Sequence, residues 1–164
     1  MKDFYTAFAT VSFTVLGLWM FVVQTRRTEW VHSTVHLRRA YAIHLQFGLA
    51  GLMSMLSLVD SSSRALWRGS FGVSAAAGAL VLVFLRNPGQ KGTDAIAEAG
   101  HLFAAALFVV ISVVAIFPSL PHRMGINLSA LGVEAVMLSI MIFVGVNMAW
   151  LLMFDEVEAD DLSA

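Results

Sequence analysis

The chain contains no cysteine. This excludes disulfides, thiolate metal sites and cysteine nucleophiles within it. Charge is scarce as well. Only 13% of the 164 residues are Asp, Glu, Lys or Arg, where a soluble globular domain carries about 25%. No basic patch is large enough to track phosphates, and the formal net charge is −1, so a nucleic-acid partner is not expected. The three prolines, Pro88, Pro118 and Pro121, all fall between apolar runs, so no run carries a proline kink. Long polar stretches are missing too, which leaves no room for a soluble enzyme domain. Any chemistry belongs inside the apolar part or in a loop.

What is abundant is apolar surface. Apolar residues make up 59% of the chain, and the mean hydropathy is +0.79. The charges are gathered into a few short segments, as bilayer-spanning helices require. Five runs, at about 4–24, 40–59, 66–85, 95–117 and 128–154, are long enough to cross roughly 30 Å of hydrocarbon at about 1.5 Å per residue. The fold class expected is therefore all-α: one polytopic membrane bundle of five transmembrane helices over 1–164, with an acidic C-terminal tail at 155–164. The first run continues through Val23 into Gln24-Thr-Arg-Arg27 with no small-residue cleavage site, which predicts a retained helix. Residues 60–65 read as a tight turn and 86–94 as a breaker loop with a cap at Asp94. Asn127 is a second cap candidate.

Short-loop Lys and Arg predict orientation. Arg26, Arg27, Arg38, Arg39, Arg86 and Lys91 share one side, and Lys2, Arg64, Arg68 and Arg123 share the other. The N-terminus is expected outside and the C-terminus inside a cell membrane, with the bilayer itself as the first partner. In the third run Ser70, Ser74 and Gly78 recur every four residues, a small-residue stripe that lets backbones approach. Trp19, Trp30, Tyr41, Trp67 and Trp150 mostly fall near span boundaries, where amphipathic rings are normally found.

Ionisable groups inside a span are costly and are functional candidates. They are few: His44 in the second run, Glu98 and His101 in the fourth, and Glu134 in the fifth, together with the amide of Asn147. Alternating helix directions put His44, Glu98, His101 and Asn147 at similar depth, with Gln46 nearby. This predicts one polar cluster. Glu134 lies alone towards the opposite leaflet. In the first loop His32 and His36 stand at i and i+4, a spacing that can chelate a metal but lacks a third ligand. A surface amphipathic helix with a wet His/Arg face accounts for that loop. Thr6, Thr10 and Thr14 form a hydroxyl stripe that would line a water-filled path, or would bond back to its own helix.

These residues predict a small channel or transporter for an ion or small solute, with His44, Glu98 and His101 as a proton-sensing element and Glu134 as a relay. A bundle this small hardly encloses a wide pore, so a homo-oligomer is expected. A second reading is a redox subunit in which His44 and His101 bind haem b axially. A third is a structural subunit of a larger membrane complex. No Ser/His or paired-Asp motif of a membrane hydrolase is present, and no family signature or internal repeat is found.

Overall fold

The computed structural model describes residues 1–59, 64–85 and 95–155. The expected turn at 60–65 for the most part, the loop with its Asp94 cap and the acidic tail past Asp155 lie outside them. The described residues are all-helical, and five helices are long and apolar enough to cross a membrane. In chain order the elements are α1 (Lys2–Thr25), α2 (Arg27–Trp30), α3 (Thr34–Val59), α4 (Arg64–Leu85), α5 (Ala95–Ile116), α6 (Leu120–Arg123) and α7 (Ala130–Met153).

Both boundaries of four spanning helices agree with the apolar runs to within two residues, as does the end of α3, but α3 begins six residues before the expected start. Helix propensity explains the extension. Val35-His-Leu-Arg-Arg-Ala40 carries no glycine or proline to stop a helix. The hydrophobic run marks where lipid begins, not where the helix does. The cap of α7 is Ser129, whose Oγ accepts from the Gly132 backbone N–H at 3.1 Å. Asn127, the expected cap, lies two residues upstream.

Helices α3, α4, α5 and α7 form a ring in which each packs on the next, and α1 lies outside it against α3 with a lesser contact to α7. Phe71, Ala75, Ala104, Phe108, Ile111, Leu138 and Met141 fill the ring. The small residues do what close packing needs. A Cβ on Gly78 would come 2.8 Å from Leu49 Cδ1 and 3.1 Å from the Phe108 ring, so α4 meets α3 and α5 there. A Cβ on Gly51 would meet Phe13 and the Ser12 Cβ at 3.2 Å, which brings α1 onto α3. A Cβ on Gly145 would come 2.6 Å from Phe47 and 3.3 Å from Gln46 Oε1, which brings α7 onto α3. Arg68 caps the far end of α5, donating to the Ala115 and Ile116 carbonyls at 3.0 and 2.7 Å.

Two tryptophans depart from the boundary reading. Trp30 is 1% exposed and Trp19 is 3% exposed. They pack together at one end of the bundle with Ile43, Phe47, Met148 and Leu152. Trp19 Nε1 donates to the Ala40 carbonyl at 3.1 Å. Both indoles supply large apolar area, and that of Trp19 also places its donor on a backbone acceptor inside the protein, while Trp30 Nε1 has no partner among the described residues.

Candidate functional site

Two ends of the bundle hold polar groups, and the sequence links neither set. The first end is where α1, α4 and α7 begin. Glu134 lies about 6 Å along α7 from its start by helical rise and is fully buried. Its Oε2 accepts from Trp67 Nε1 at 2.7 Å. Its Oε1 has no hydrogen-bond partner among the described residues. Tyr5, 2% exposed, is an electrostatic neighbour of this carboxyl, and its hydroxyl donates to the Leu131 carbonyl at 2.9 Å. Phe71 completes the wall, edge-on to Tyr5 and tilted against Trp67. Glu134, expected to lie alone towards the opposite leaflet, is at the other end of α7 from the His101 cavity and has Trp67 as a donor. Its donor, Trp67, is not legible in the sequence, because a boundary tryptophan is ordinarily an interfacial one.

The second end is Arg-rich. Arg39 Nη1 donates to Asp155 Oδ2 at 2.7 Å. His36 Nε2 lies 3.8 Å from the same oxygen. Ser33 Oγ is 2.8 Å from His36 Nδ1, and the His36 ring stacks on Trp30. Arg26 reaches Glu29 at 2.6 Å and donates to the Met153 carbonyl at 3.1 Å. The loop histidines are therefore divided. His32 is exposed in the turn before α3, while His36 is buried in the first turn of α3. The shared wet face does not form, because α3 starts early and turns His36 inward under Trp30. Among the described residues no group of three His, Asp or Glu gathers as a metal site.

Beside this ion pair lies a cavity of about 320 Å³, lined on its polar side by Arg39, His101 and Asp155. Its apolar walls include Ile43, Ile96, Met148, Trp150 and Phe154. His101 Nδ1 is 2.9 Å from the Ala97 carbonyl. Glu98, one turn before it on α5, and Arg39, from α3, are its charged neighbours. A Cβ on Gly100 would collide with the Met148 side chain, so α5 and α7 touch at the cavity floor.

The expected cluster is dispersed. His44 is half-buried and stacks on exposed Tyr41, and it does not line the cavity that holds His101. Asn147 is exposed, and its amide donates to the Phe143 carbonyl of its own helix at 2.7 Å. Gln46 is fully buried, packed by Gly145, and neither amide atom has a partner among the described residues. The depths agree with the sequence, but the directions around each helix do not. Thr6, Thr10 and Thr14 are exposed on α1, and their hydroxyls donate to Lys2, Thr6 and Thr10 carbonyls at 3.1, 3.0 and 2.8 Å. Within one chain they line no interior.

Between the two ends runs a seam of α1, α3 and α7. Ser12 is fully buried there against Gly51, and its Oγ lacks a hydrogen-bond partner among the described residues. Gln46 follows, and Ile43 and Met148 of the cavity lie one helical turn beyond Gln46 and Gly145. By helical rise Glu134, Ser12 and Gln46 sit at about 6, 15 and 20 Å from the first end. Polar groups thus recur at each depth of an otherwise apolar bundle. No protein-family model, curated protein or solved structure matches this chain.

Proposed function

We propose that the protein is a proton conductor of the cell membrane, with the Arg-rich end in the cytoplasm. The reading rests on one observation. Fully buried Glu134, between α1, α4 and α7, and Ser12 and Gln46, along the α1–α3–α7 seam, lie at successive depths with polar atoms that none of the described residues satisfies. Such atoms are costly in an apolar interior, and buried polar groups normally find partners. A series of them at successive depths is the arrangement a proton path requires, since ionisable groups inside membrane bundles mark relays.

The packing favours a proton over a larger solute. Phe47, Leu138 and Met141 fill the interior beside the path and are almost fully buried. A proton crosses such a seam by exchange between hydrogen-bonding groups and water. Glu134 takes up and releases the proton at the outer end, since it is the titratable member of the seam. Ser12 and Gln46 donate and accept without titrating. The gaps of about 9 and 5 Å along the axis exceed one hydrogen bond, so water entering the seam bridges them. Beyond Gln46 the next turn of α3 and α7 presents apolar Ile43 and Met148, so water reaching in from the cavity carries the proton over it. A pore between subunits is unnecessary in this reading, because the path lies inside one chain. Homo-oligomers then conduct as parallel units.

The test is proton flux into dye-loaded proteoliposomes under an imposed pH gradient. Wild-type protein is expected to exceed protein-free liposomes. Glu134→Gln, which retains an acceptor for Trp67, and Gln46→Leu are each expected to slow the flux by at least about tenfold. Thr10→Val and Asn147→Ala are expected to leave it unchanged. Wild-type flux at the protein-free level overturns the proposal.

A further inference from the structure

The cavity at the Arg-rich end has a chemistry of its own. Arg39 and Asp155 neutralise one another across 2.7 Å, so the polar wall carries no net charge from this pair. His101 holds the acceptor. Its Nδ1 lies 2.9 Å from a carbonyl oxygen, and a carbonyl only accepts. The ring proton is therefore on Nδ1, and in the uncharged ring Nε2 is left as an acceptor. The remaining wall is apolar and partly aromatic. Trp150 and Phe154 are exposed on the outside of the bundle, with ring centroids 4.9 Å apart. About 320 Å³ lies at the lower end of ligand-pocket volumes, which run from roughly 300 to 1,000 Å³. Such a volume suits one chain and a small head, not a two-chain phospholipid.

We infer that this cavity binds an uncharged, single-chain amphiphile headed by a hydroxyl group. The hydroxyl donates to His101 Nε2, and the chain lies along Ile96, Trp150 and Phe154. An anionic head is disfavoured because Asp155 already occupies the Arg39 guanidinium and stands in the wall as a carboxylate. A cationic head meets Arg39 at the same wall. An uncharged donor leaves the ion pair intact and gives the imidazole acceptor a partner within the cavity. The binding does not depend on proton conduction and stands whether or not the seam conducts.

The experiment uses full-length protein in phosphatidylcholine nanodiscs and a dodecanol carrying a mid-chain photoreactive diazirine. Labelled residues are mapped by mass spectrometry. Saturable labelling within 96–101 and 148–154 is expected. Unlabelled dodecanol is expected to compete for it. Dodecyl methyl ether, which has no donor, should compete about tenfold more weakly, the size of one hydrogen bond. His101→Leu is expected to weaken labelling about as much. The alcohol and ether comparison uses wild-type protein and needs no variant to fold. Non-saturable labelling spread over outward residues such as Phe84 and Phe143 overturns the inference. So does equal competition by alcohol and ether, or stronger competition by dodecanoate or dodecylamine.

Discussion

The two ends of the bundle solve the problem of a buried charge in opposite ways. At the end where α1 begins, one carboxyl is sealed in apolar packing and given a single neutral donor, the Trp67 indole. At the other end, Asp155 keeps 31% of its side chain exposed and is matched by Arg39, with His36 nearby. The sealed carboxyl keeps one oxygen without a hydrogen-bond partner among the described residues. The carboxylate matched by a guanidinium ties the end of α7 to the start of α3. The difference is between a carboxyl held by packing and one held by an opposite charge. It also explains why the end with more charged residues is not the one where a proton relay is expected.

The sharpest break of this comparison is Glu134→Ala. It opens a void among Tyr5, Trp67 and Phe71 and strands the Trp67 N–H. The expected loss is about 2–3 kcal/mol, read by thermal unfolding in mild detergent. Most of it comes from lost packing, since hydrogen bonds between membrane helices average about 0.6 kcal/mol. A stability equal to wild type would mean that Glu134 is not held as described.

Trp67→Phe keeps most of the ring packing and removes the donor. Glu134 then has neither oxygen satisfied by the described protein groups, and a loss of about 1–2 kcal/mol is expected. The same unfolding measurement checks it, and an unchanged midpoint would remove the indole from the site.

The smallest effect belongs to the other end. Asp155→Asn is expected to cost less than about 1 kcal/mol, because a partly exposed ion pair contributes little. The cost should shrink further as salt is raised, since salt screens the wild-type pair. A loss as large as that of Glu134→Ala, insensitive to salt, would erase the contrast between the ends.

The five spans are legible in the sequence because an apolar run of bilayer length with almost no charge suits a lipid interior and little else. Depth is legible too. His44, His101 and Asn147 do stand towards the Arg-rich end, and Glu134 towards the other. Direction around the helix is not. It is read from contrast between apolar and polar faces, and α7 is apolar on almost its whole circumference, so Asn147 can be assigned to no side. For Gln46 and Gly145 the missing information is the pairing itself. A glycine that admits one glutamine from another helix is indistinguishable from any packing glycine. Trp67 and Glu134 stand 67 residues apart, and no local pattern connects them. Arg39 and Asp155 are hidden because each falls in a segment whose composition suits solvent.

The Trp67 to Glu134 bond also has a consequence for biosynthesis. Among the five spans α7 is made last, so α1 and α4 enter the bilayer before Glu134 and the Leu131 carbonyl exist. Until α7 arrives, the Trp67 indole and the Tyr5 hydroxyl lack the acceptors they hold in the finished protein. An incomplete chain therefore presents two unsatisfied donors at one end of its nascent bundle. Arrival of the last helix satisfies both within a single turn and marks the chain as assembled.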